Sequence, residues 1–121
     1  MKQVLLVFLG GGIGSALRFL MSKWLNNNSY NLPFGTFTVN LIGSLLIGIL
    51  IGLASRNNLL SNNQTLLLVT GFCGGFTTFS AFAFENYSFL KSVDISSFLI
   101  YTLGSIILGI IAVFLGFFLV K

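Results

Sequence analysis

Gly71-Phe72-Cys73-Gly74-Gly75-Phe76-Thr77-Thr78-Phe79-Ser80-Ala81-Phe82 is the stretch that decides how this chain is read. It lies inside an apolar run from about Leu66 to Leu90, long enough to cross a bilayer. Three glycines and two adjacent threonines weaken a helix where lipid demands an unbroken one. Broken backbone at membrane depth survives only where protein or a water-filled cavity receives its freed polar groups. Such breaks coordinate ions and substrates. Phe76, Phe79 and Phe82 then recur at a three-residue spacing, which is expected to align their rings along one helical face. A broken membrane helix followed by an aromatic ladder points to a permeation site.

The rest of the chain supports a membrane setting. Its 121 residues are 55% hydrophobic and 7% charged, too few charges to cover a soluble domain of this size. The apolar material falls into four blocks of roughly 20 residues, the length that crosses a hydrocarbon core. The reading is one all-α membrane domain over residues 1–121, with spans at about 4–20, 34–53, 66–90 and 98–120. Four short helices leave little room inside a monomer, so an oligomer is expected if anything passes through. The formal charge of +4 comes from basic residues scattered singly, with no patch for nucleic acid. With no histidine and one cysteine, Cys73, a protein-ligated transition-metal site and an internal disulfide are not expected.

Span one carries Gly10 and Gly14, the small-xxx-small spacing that lets helices approach closely. Its glycine cluster lacks the Lys-Ser/Thr and the strand of a phosphate loop. Arg18, a turn inside the far end, either snorkels to the interface or raises the anion concentration at a vestibule. Lys23 and Trp24 mark that interface, and a polar loop from Asn26 to Pro33 follows. In span two, Asn40, Ser44, Gly48 and Gly52 recur every four residues, a narrow stripe for another helix. Asn40 offers two donors deep in the membrane and is read as pore-lining rather than as helix glue. Glu85 is the only acid inside a span. Its place near the helix end favours a carboxylate hydrogen-bonded to neighbours over a proton carrier. In span four, Tyr101 and Ser105 lie on one face, continued by Gly109.

Amide and hydroxyl donors (Asn40, Ser80, Tyr101, Ser105, with Thr78) beside phenyl rings, and no carboxylate ring, fit a small anion. Ring edges are electropositive and can touch an anion without holding it too tightly.

The central motif, with Gly35-Thr36-Phe37-Thr38-Val39-Asn40 and Arg18, resembles the Fluc (CrcB) fluoride channels along the whole chain. The resemblance implies a non-enzymatic, multi-pass protein of the cell membrane. It implies a dual-topology dimer with two antiparallel pores that let fluoride leave passively and so relieve its toxicity. By that resemblance Phe79 and Phe82 line each pore with Asn40, and Ser80, Tyr101 and Ser105 belong to a polar track. Backbone carbonyls of Gly74 and Thr77 from both subunits would hold a central structural sodium ion. Ala81 and Gly109 depart from the family pattern and thin that track. Asn40, Phe79 and Phe82 are all present, which favours a homodimer. A small multidrug exporter would need a glutamate in span one, which has none. A non-conducting scaffold would leave Asn40, the threonine break and the rings without a task.

Charge placement agrees with dual topology. The side of the termini carries Lys2, Arg56 and Lys121, and the other carries Lys23 and Lys91 with Arg18 near it, three against three. The positive-inside rule needs a bias, and there is none. Two oppositely oriented copies then mimic an inverted repeat. Cross-linking of the chain in its membrane is expected to trap antiparallel pairs; trapping of parallel pairs alone would overturn this.

Overall fold

Why the chain folds as it does follows from four apolar segments that satisfy their own backbone as helices, the only open-ended solution lipid allows. The computed structural model describes residues 1–26, 32–56 and 58–120, and all regular structure among them is helical. Helix α1 spans Lys2–Leu25 and α2 spans Phe34–Ser55. Span three, Asn62–Lys91, is interrupted. Its first half, α3 (residues 62–76), opens with a turn at Asn62–Thr65, widens into a π-helix over Leu66–Cys73 and closes at Gly74–Phe76. Its second half, α4, is Phe79–Lys91, and α5 is Ile95–Leu119. All four spans are long and apolar enough to cross a membrane.

Helix ends run a few residues beyond the apolar runs because polar residues can continue a helix into the interface. Thus α1 carries Lys23 and Trp24 on its last turn, with the indole 78% exposed, where an interfacial anchor belongs. Of the loop from Asn26 to Pro33, residues 27–31 lie outside the described residues, as do Asn57 and Lys121. Asn26 accepts the Gly35 amide on its side-chain oxygen at 2.8 Å, closing the start of α2. Ser61 and Gln64 form a reciprocal capping box at the start of α3. Arg56 donates to the Val120 carbonyl at 2.9 Å, satisfying an orphan acceptor at the end of α5.

Packing pairs α1 with α3 and α2 with α5, the two extensive helix contacts of the fold. Both pairs rest on missing side chains. A Cβ at Gly14 would strike the Phe72 carbonyl, and one at Gly10 the Leu67 carbonyl. Across the other pair, Gly48 meets the Val113 carbonyl and Gly116 meets the Leu45 carbonyl. Close backbone approach is how helices gain packing energy in lipid, where no hydrophobic force drives them together. Few side chains are fully buried; Val39 and Cys73 reach 0% exposure, and large apolar side chains cover the outside. That inversion suits a lipid solvent.

Gly48→Ala is expected to lower the thermal stability of the purified protein by about 1–3 kcal/mol, the usual cost of overpacking. Gly104→Ala, whose added Cβ meets nothing within 4 Å, is expected to leave it unchanged or slightly raised.

Candidate functional site

Interruption of span three happens at two residues. Thr77 (φ −88°, ψ 159°) and Thr78 (φ −149°, ψ 120°) are extended, while all three glycines expected to loosen the helix stay helical. Two of them are pressed against α1: a Cβ at Gly75 would strike the Gly11 backbone, and one at Gly71 would stand 3.0 Å from the Gly10 Cα. Thr77 escapes because Gly43 leaves a notch for its methyl group. Beta-branched threonine also prefers extended backbone to helix.

An α-helix that stops at one residue and restarts two later strips four carbonyls and four amides of their partners. Here these are the carbonyls of Gly74, Gly75, Phe76 and Thr77, and the amides of Thr78, Phe79, Ser80 and Ala81. Side chains from three elements take part of the load. Asn40 on α2 accepts the Thr78 amide at 2.8 Å and donates to the Thr78 carbonyl at 3.1 Å. Its amide thus pairs with the backbone as a strand would. Thr78 acts as N-cap of α4, its hydroxyl accepting the Ala81 amide at 3.2 Å. From α1, Arg18 Nε donates to the Gly75 carbonyl at 3.0 Å, with Ser15 Oγ at 3.4 Å from the same oxygen. Among the described residues no hydrogen bond reaches the carbonyls of Gly74, Phe76 or Thr77.

Arg18 thus has a partner at the break itself. Helix α1 continues beyond it to Leu25, and its Nε reaches the Gly75 carbonyl. The three-ring ladder is corrected. Phe76 is buried at 3% exposure and stacks on Phe72 at 5.6 Å, because the extended threonines separate it from the register of α4. The ring row that does form is Phe79, Phe82, Tyr101, with centroids 5.9 and 5.1 Å apart.

These elements enclose one side of a cavity of about 430 Å³ between α2, the break and α5. Asn40, Ser44, Thr78, Phe79, Phe82 and Ser105 are among its walls. Ser105 Oγ is buried there with no hydrogen-bond partner among the described residues. Ser80 lies at the exposed edge, its hydroxyl 3.2 Å from that of Thr78. Tyr101 is directed elsewhere: its hydroxyl donates to Glu85 Oε1 at 2.7 Å, and Thr36 donates to Oε2 at 2.7 Å. Glu85 is thus a carboxylate held by its neighbours. Gly109 faces Ser44 Oγ at 3.8 Å from where its Cβ would stand, so the groove stays open at that point.

Gly43, Ser15 and Thr36 were not singled out from sequence. Helical spacing marks them in retrospect, since Gly43 and Thr36 lie three and four residues from Asn40, and Ser15 three from Arg18. The pair Thr102–Asn86, at 3.0 Å, ties α5 to α4 and carried no such signal.

Comparison with known proteins agrees with this architecture. Residues 5–117 match the family model described as CrcB-like protein, Camphor Resistance (CrcB). A protein of Gloeothece citriformis named fluoride-specific ion channel FluC is 51% identical over 123 residues, spanning 100% of this chain and 98% of its own. Proteins of the same name from Phocaeicola vulgatus and Methylobacillus flagellatus are 48% and 47% identical. They span 96% and 100% of this chain, and 96% of their own length in each case. With its broken third span, four helices and near full-length likeness, this chain belongs to the CrcB family.

Proposed function

We propose that the protein is a fluoride channel of the cell membrane, releasing the ion passively and so keeping its concentration in the cell low. The observation that carries this reading is the buried, unpartnered Ser105 hydroxyl in a cavity shared with Asn40, Phe79 and Phe82. A buried donor without a partner is costly unless something that accepts hydrogen bonds visits it. Asn40, a wall of the same cavity, has a second amide hydrogen, since its bond to Thr78 uses only one. Phenyl rings complete the wall with contacts weak enough for an ion to leave. The first turn of α4 adds the positive end of a helix dipole on the same side.

The working unit in this reading is an antiparallel homodimer with two pores. Phe79 is 78% exposed, and the hydroxyls of Thr78 and Ser80 are exposed beside it in the middle of a span. Hydroxyls and free backbone carbonyls facing lipid are expensive, so a second copy is the natural cover. Such a dimer would also bring together the Gly74 and Thr77 carbonyls of both chains. Gly74 is exposed, and neither carbonyl has a hydrogen bond among the described residues, the donor set a hard cation takes. Sodium at that point would neutralise the carbonyl ends of two half-helices. It would be structural, holding the copies together, while Asn40, Ser105 and the rings handle the anion.

Fluoride efflux from liposomes, read with a fluoride electrode, tests the proposal; purified protein that releases none would overturn it. Phe82→Ile and Asn40→Asp are expected to keep the dimer but cut the flux. Loss of a hydrogen bond to an anion, about 1.5–3 kcal/mol, corresponds to roughly a tenfold or greater fall in rate. Flux at the unsubstituted level in both variants would remove Phe82 and Asn40 from the pathway.

A further inference from the structure

Of the carbonyls freed at the end of α3, one is treated differently from its neighbours. Gly75 receives Arg18 Nε at 3.0 Å and Ser15 Oγ at 3.4 Å, while Gly74 and Thr77 on either side receive nothing from the described residues. We propose that Arg18 is a positioning residue for the cation site, fixing the Gly74-Gly75 turn so that the Gly74 and Thr77 carbonyls stay free. The inference rests on the sodium reading given above.

Three features carry it. A Gly-Gly pair has more conformational freedom than any other dipeptide, so something must hold it if its carbonyls are to be preorganised. On one side Gly75 is pressed against the Gly11 backbone, but a Cβ at Gly74 would find only the Val69 carbonyl, 3.9 Å away. The turn is thus fixed by α1 at Gly75 alone, and Arg18 is the charged group in that contact. Ser15 and Arg18 lie three apart and share the face of α1 that carries Gly11 and Gly14. Finally, an arginine inside a membrane span is expensive and marks a task. Coulomb repulsion between a guanidinium and a nearby bound cation can only weaken that cation's binding. What Arg18 contributes must therefore come through the hydrogen bond, and this fixes the sign of the test.

Equilibrium binding of radioactive sodium to the purified, detergent-solubilised protein distinguishes the alternatives. Gln places an N–H donor at the same point along the side chain as arginine Nε and removes the charge. Met has similar length and no donor. Arg18→Met is expected to weaken sodium binding roughly 10–100-fold, the range seen when a residue supporting a metal ligand is lost. Arg18→Gln is expected to bind as tightly as the unsubstituted protein or tighter. Unchanged affinity in Arg18→Met, or equal loss in Arg18→Met and Arg18→Gln, would overturn the inference. Should Arg18→Met fail to fold, Arg18→Lys keeps the charge but carries its donor one bond further out. It is expected to bind more weakly than Arg18→Gln, and the reverse order would contradict the proposal. If the unsubstituted protein binds no sodium, the cation reading itself falls and the role of Arg18 with it, a result distinct from failure of the substitutions alone.

Discussion

Backbone polar groups cannot be left bare in hydrocarbon, and the centre of this molecule is built around that constraint. Two extended threonines expose a set of carbonyls and amides at mid-span. Asn40 from α2, Arg18 and Ser15 from α1, and the Thr78 hydroxyl each take a share. Those partners must come from helices that can reach the break, which is why glycines line the α1–α3 contact and why Gly43 stands opposite Thr77. The small residues and the few intramembrane polar ones therefore serve one purpose.

Breaking a helix also creates two ends of opposite sign at one depth. The C-terminal end of α3 offers carbonyl oxygens and the N-terminal end of α4 offers amides. An unbroken span would offer neither. In the proposed reading the first end suits sodium and the second favours an anion in the adjoining cavity. Glu85, with each oxygen already receiving a hydroxyl, is engaged by Thr36 and Tyr101.

Much of this was legible in the sequence, because lipid imposes a coarse and strict pattern. Four apolar blocks predict four helices, and intervals such as Gly10–Gly14 and Ser44–Gly48 predict the faces that pack. What sequence could not supply were contacts between distant residues. The glycines and the threonine pair together mark the break in the sequence, yet the glycines stay helical and the extension is confined to Thr77 and Thr78. Phe76 fell out of the ring row for the same reason. Arg18 meets Gly75 across 57 residues of chain, a contact that no local spacing announces.

Backbone chemical shifts of Thr77 and Thr78, measured by solid-state NMR in the bilayer-reconstituted protein, test the central claim most directly. The account requires extended values at both residues between helical values on either side. Helical shifts running without interruption through residues 66–90 would contradict it.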